Sequence, residues 1–283
     1  MRQYFWLLFT LFFATTFMVV VSIAPPKGLP PRLQTPGDRV VIAAPLQTLM
    51  VGGDRYLAAN LEAIRIAATA LDSPPGDNKA AASYLIRAHR TVAQLNPCHE
   101  DNYYLGNALL SWAGAEDEGL DLLRRAMECR YWDELPAFFY GFNQYFFRHN
   151  TSEAKRALEL AAQRSPDNAA ALRKLAIMIA AGEIKDDRMA LDYLKNQRDQ
   201  AKDKKLHQML DKRVVRLEGL ITLRESQKRF EDKYGRPLKM PGELLSSGLL
   251  KQYPNDPLGL GYEFQAGKFQ LRKLKILGME NSK

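Results

Sequence analysis

The side chains able to do chemistry in this chain are few, and their spacing does not bring them together. Four histidines, His89, His99, His149 and His207, are scattered along the sequence. None stands in a ligand or triad spacing such as HExxH, where two imidazoles one helical turn apart share a metal. The run Glu116-Asp117-Glu118 has the charge for a metal or an acid/base pair, yet acids opening a helix are explained by its N-terminal dipole. Gly52-Gly53-Asp54 lacks the Gly-Lys-Ser/Thr that cradles and neutralises phosphate, and reads as a helix start capped by Asp54. Asn150-Thr151-Ser152 fits the N-glycosylation pattern, a tripeptide common by chance. Cys98 and Cys129 are 31 residues apart and form no CxxC pair, which speaks against redox catalysis or a zinc site. They occupy nearly equivalent turns, so a disulfide and two partly buried thiols are both open readings. The chain is expected to be no enzyme and to need no cofactor or metal.

What the residues offer instead is a surface. Between Leu135 and Phe147 lie seven aromatic residues, Phe138, Phe139, Tyr140, Phe142, Tyr145, Phe146 and Phe147. Spaced by about 100° per residue, they reach nearly every side of one helix, more than two neighbouring helices can bury. Either the core is unusually thick there, or part of this helix forms an aromatic trough for an extended peptide or an amphipathic helix.

The elements that must position this surface show themselves in a repeat. Gly106, Gly119, Leu123 and Ala126 are followed by Gly141, Ala154, Leu158 and Ala161, each matched pair 35 residues apart. Small residues there let one helix lie close on the next, so the unit is a helical hairpin stacked on its own copy. With one more residue in the turn, Ala176, Ala190 and Leu194 give a third copy. Pro, Gly and capping residues punctuate the expected helices: 78–95, 99–112, 116–128, 133–148, 152–164, 167–181 and 186–202. Ser152, Asp167 and Asp186 suit N-caps, while Gly114 and Gly182 suit stops.

The pattern is Gly or Ala in the first helix, Ala opening the second, Leu next, then Ala and a closing Pro, best seen in Gly141, Ala154, Leu158, Ala161 and Pro166. In this, residues 79–203 resemble the tetratricopeptide repeat family. They depart from it in an extra turn residue, in Asn102 and Ala137 where the family has a large aromatic, and in Tyr131 where it has Pro. The resemblance implies an all-α solenoid of helical hairpins, the first helix of each pair lining a concave groove. Carried over unit by unit, its groove positions are Tyr103 and Asn107, then Phe138, Phe142 and Tyr145, then Arg173. The occupant it implies is a protein or peptide.

Tyr4 to Ala24 contains no charged residue and matches the length of a transmembrane helix. Its only small-x-small site, Ser22-Ile23-Ala24, runs straight into Pro25, which favours an uncleaved single-span anchor over a signal peptide. Lys27, Arg32 and Arg39 against Arg2 argue for a cytoplasmic body, but long domains translocate largely regardless of charge. The expected placement is the inner membrane with a periplasmic body, a cytoplasm-facing adaptor being the alternative. The expected order is an anchor over 1–24, in contact with the lipid bilayer through residues 4–24, and a Pro-rich spacer over 25–43. A helical array over 44–203, a capping helix over 204–234 and a small α+β tail over 235–283 follow, the tail holding a β-hairpin at 262–265 and 268–271.

Leu249 to Leu271 is similar to the Asp-Pro-x-Gly hairpin near the end of type II secretion pseudopilins, here Asp256-Pro257-Leu258-Gly259, without the pilin methylation motif. That similarity implies envelope machinery. Basic and acidic residues balance at 22 each through residue 199, so the net +8 lies in the last third, 18 against 10. Attraction to anionic lipid or an acidic partner and a plain solvated face are both open for it. Nucleic acid is not expected, because no exposed aromatics interleave the basic residues. The expected function is a membrane-anchored scaffold or docking protein in envelope-complex assembly, or else an accessory subunit of an envelope enzyme or secretion system.

Overall fold

The computed structural model describes the backbone of residues 2–23, 39–72 and 78–272, and within it the side chains of residues 9–19, 39–69 and 83–272. The expected spacer as far as residue 38, the turn over 73–77 and the tail beyond residue 272 lie outside the described residues. Four helices come first: α1 (Arg2–Ile23), α2 (Ala44–Met50), α3 (Arg55–Asp72) and α4 (Asn78–Leu95). Then follow α5 (Glu100–Leu110), α6 (Glu116–Cys129), α7 (Leu135–Phe146), α8 (Thr151–Arg164), α9 (Ala169–Gly182) and α10 (Asp187–Gln200). The long α11 (Lys204–Tyr234), the short α12 (Glu243–Ser246) and an antiparallel hairpin of β1 (Tyr262–Gln265) and β2 (Lys268–Leu271) complete the order. In the hairpin Tyr262 pairs with Leu271 and Gln265 with Lys268. The described protein is thus mostly helical with one small sheet.

Successive helices from α3 to α9 pack on one another, as in a helical-repeat stack. Small residues make the crossings possible. A Cβ on Gly106 of α5 would overlap the Leu122 side chain of α6, and one on Gly141 of α7 would stand 3.0 Å from the Ala154 carbonyl oxygen of α8. Around these contacts Leu123, Ala126, Ala154, Leu158 and Ala161 are buried. The third copy behaves differently. Ala176 belongs to the cluster shared by α7, α8 and α9, whereas Ala190 and Leu194 pack with α11. Helix α10 is therefore held chiefly by the long helix after it.

Local signals set most boundaries. Asp54 caps α3 by accepting from the Tyr56 and Leu57 N–H groups at 2.9 and 3.0 Å, and Asp186 caps α10 from Met189 at 2.9 Å. Helix α5 ends in a 3-10 turn, Ser111–Ala113, and Gly114 at φ +84° provides the left-handed stop. Two expected caps move. The chain reverses at His149, φ +52°, so Asn150 becomes the cap of α8, accepting from Glu153 at 3.2 Å, and Ser152 falls inside the helix. Asn168, one residue after Asp167, precedes α9 without a side-chain cap.

The tail is fastened to α11 by a buried ion pair. Arg216 Nε lies 3.1 Å from Asp256 Oδ2, both side chains nearly dry. Asp256 also accepts from the Leu258, Leu260 and Gly261 N–H groups, and Arg216 donates to the Arg272 carbonyl at 2.7 Å. Gly219 leaves room for the Tyr262 ring, whose hydroxyl donates to the Arg216 carbonyl at 3.1 Å.

The span expected over residues 1–24 finds no support there. Among the described residues no helix is long and apolar enough to cross a membrane.

Candidate functional site

Helix α7 buries Pro136, Ala137, Tyr140, Gly141 and Asn143 against its neighbours. Its other face is apolar throughout: Leu135, Phe138, Phe139, Phe142, Tyr145 and Phe146. Of these, Leu135, Tyr145 and Phe146 each keep 38 % of their surface in water, so more than a third of each ring or chain remains to be covered. Phe142 and Phe146 stack with centroids 5.6 Å apart. The face continues onto α5, where Tyr104 meets Phe139 edge-on at 5.8 Å and Trp112, in the turn after α5, meets Phe146 at 5.4 Å and Phe147 at 5.2 Å. Tyr104 and Trp112 are themselves more than half exposed. On the α9 side, Phe138 and Leu175 both pack against the cluster that α8 and α9 share.

The six positions carried over from the repeat family divide. Phe138, Phe142 and Tyr145 lie on this face. Tyr103 does not: it is 1 % exposed and its hydroxyl donates to Asp133 Oδ2 at 2.9 Å. Burial, then that acceptor, pushes the Tyr103 phenol up, so it stays a neutral donor. Asn107 sits between helices, its Oδ1 accepting from Asn143 Nδ2 at 2.8 Å. Arg173 turns to α8, with Nε 3.0 Å from Glu159 Oε1. Phe139 and Phe146, counted among the seven aromatic residues of 135–147 though not among the repeat positions, lie on this face too, and Tyr104 and Trp112, which the sequence reading did not single out, border it. Tyr104, Ala108 and Trp112 follow each other at helical spacing, a signal that marks one face of α5 for presentation.

A polar cluster anchors one end of the stack beside this face. Cys98 and Cys129 are joined in a disulfide with Cα atoms 5.4 Å apart. Arg130 follows immediately, with Nε 2.8 Å from Asp133, Nη2 3.0 Å from Glu100 and Nη1 donating to the Cys98 carbonyl at 3.2 Å. Burial alone would raise the Asp133 carboxyl, but Arg130, the Leu135 N–H and Tyr103 hold it below the usual carboxylate range. Arg164 of α8 then donates to the Met127, Arg130 and Asp133 carbonyls. These groups neutralise one another, which is structural work.

Two of the histidines have partners inside the fold. His89 is buried with Nδ1 2.8 Å from Asn102 Oδ1, and His99 bridges Asn60 and the Asn102 N–H. His149 and His207 are exposed and far apart in the fold order. Among the described residues no group of three or more His, Cys, Asp or Glu is placed to hold a metal ion. No family model matches the chain, and neither a curated protein nor a solved structure matches it.

Proposed function

We propose that this chain is a membrane-anchored, non-enzymatic docking protein of the cell envelope, whose tetratricopeptide-like hairpins offer the outward face of α7 to a protein or peptide partner. The observation that carries this reading is the unbroken apolar face from Leu135 to Phe146, extended by Tyr104 and Trp112. A surface built only for solvation scatters its large apolar residues singly. Covering the remaining exposed part of one such side chain is worth about 1 kcal/mol. Micromolar binding needs roughly 8 kcal/mol beyond the cost of association, so several rings must be covered together. A helix or strand laid along α7 does that; a small ligand does not.

The anchor rests on sequence: α1 carries no charge from Gln3 to Ile23. The Cys98–Cys129 disulfide favours an oxidising compartment and hence a periplasmic body. Lys27, Arg32 and Arg39 favour the opposite orientation by the positive-inside rule. A periplasm-active reporter at the C-terminus separates the two, and its silence would turn the body to the cytoplasm. The binding role is tested by Phe142→Ala combined with Phe146→Ala. Partner capture should be lost while helical circular dichroism and the disulfide persist. Loss of helicity would assign those rings to the core.

A further inference from the structure

Helix α3 turns its small residues into the fold and its large ones out. Ala58, Ala59, Ala63 and Ile66 are buried, whereas Leu57, Leu61 and Ile64 are 44, 46 and 65 % exposed. With the exposed Ala68 they recur at steps of four, three and four residues, inside an arc of about 60° at roughly 100° per residue. That is the a/d seam of a helix that pairs with another helix. A surface helix carries polar residues on the side away from its core, and one that is apolar all round belongs in an interior.

The place of α3 in the stack says what kind of neighbour is missing. Stacked helical hairpins need end units with a polar outer face. The far end has one: α11 packs on α9 and α10 and turns Lys212, Thr222, Glu225 and Lys228 to solvent. At the near end α3 packs on α2, α4 and α5, and its seam is left open. Met50 of α2 lines a cleft together with Leu61, so α2 widens the same face. Leu46, Met50, Tyr56, Leu57, Leu61 and Ile64 leave on the order of 600 Å² uncovered, and the exposed Asp54, Arg55, Asn60 and Arg65 beside them bring the face to the roughly 800 Å² per partner of a stable interface. Its charges cancel, since Asp54 stands beside Arg55 and Arg65 pairs with Glu62 at 2.9 Å. Two-fold pairing sets a face against its own copy, where net charge would repel and a neutral apolar surface does not. Because α11 closes the far end, such pairing stops at two copies.

We propose that the outward face of α3 is covered by a second copy of this chain, two stacks meeting end to end with their α3 seams crossing antiparallel about a two-fold axis next to Leu61. The test uses the full chain expressed in cells as two differently tagged copies. Capture of one tag should bring down the other. Leu61→Glu in both copies, or Leu61→Lys in both, should cut that yield at least ten-fold. Leu61→Glu mixed with Leu61→Lys should restore it, with helical circular dichroism and the Cys98–Cys129 disulfide unchanged in each variant. A side chain beside a two-fold axis gives that reciprocity, and a site for a different partner does not. Contact is read a second way with a short bismaleimide: Leu61→Cys should give a dimer linked through position 61, mapped by mass spectrometry, and Lys228→Cys on α11 should give none. Absence of co-capture by the parent chain overturns the proposal, as does loss in both matched pairs without recovery in the mixture. Equal co-capture in every pairing, or equal linkage through position 228, places the contact elsewhere and overturns it. An adduct from position 61 to a different protein assigns the face to that partner and overturns it too.

Discussion

Tyr103 and Tyr104 are neighbours about 100° apart around α5, yet one is 1 % exposed and the other 54 %. The repeat position selects Tyr103 for the groove. What reverses the choice is Asp133, 30 residues away, which gives the Tyr103 hydroxyl an acceptor inside the fold. No local pattern announces such a partner, and Arg173 is turned towards Glu159 for the same kind of reason. Phe142 and Tyr145 were legible because a helix with aromatic residues on every side must present some of them. A second residue has a consequence in solution. His89 is buried, with Nε2 unpartnered among the described residues, and burial lowers its pKa from 6.5 to about 4 in spite of the bonds to Asn102. Since the folded pKa is the lower one, this contribution to stability is complete above the unfolded pKa and is lost as pH falls towards 4. Between about pH 7.5 and pH 5 the loss is roughly 2 kcal/mol. Denaturant titrations at the two pH values should show it, and His89→Gln should flatten most of the slope. A wild-type profile flat across that range would contradict a buried neutral imidazole.

At the scale of elements, α4, α11 and the β-hairpin fall where Pro, Gly and periodicity put them, because those residues act on the backbone they occupy. The third hairpin was less legible. Ala190 and Leu194 fit the repeat spacing but pack on α11, and spacing alone does not say which neighbour a small residue meets. Two predictions belong here. The disulfide ties the end of α6 to the turn before α5 across a 31-residue separation. Removing it by reduction or by Cys98→Ala should cost about 3–4 kcal/mol on chain-entropy grounds. Unchanged denaturant midpoints with and without reductant would mean that the Arg130 and Arg164 contacts hold the turns by themselves. The tail provides the other. A methyl at Gly219 would strike the Tyr262 ring and the Pro254 side chain, forcing the ring off the Arg216 carbonyl. Gly219→Ala should therefore loosen residues 253–272 to limited proteolysis or hydrogen exchange and leave α5–α8 protected. Equal protection of the tail in both proteins would show that it can shift without undocking.

For the molecule as a whole, the stack turns one helix into a platform. Helix α5 borders α7 on one side, and on the other α9 shares a buried cluster with it. The mostly helical character and the stacking positions could be read from a 35-residue repeat because close helix packing demands Gly or Ala at fixed places. Which rings remain uncovered could not, since that depends on how neighbouring helices are rotated. The central claim is that the outward face of α7 meets another polypeptide. It is tested most directly by a photo-crosslinking amino acid at Phe146 in the full chain expressed in its own cells, compared with the same label at Lys155, exposed on α8. The account predicts a discrete protein adduct from position 146, repeated from Tyr104 and absent from position 155, that disappears with Phe142→Ala. No adduct from positions 146 and 104, or equal adducts from position 155, would contradict it.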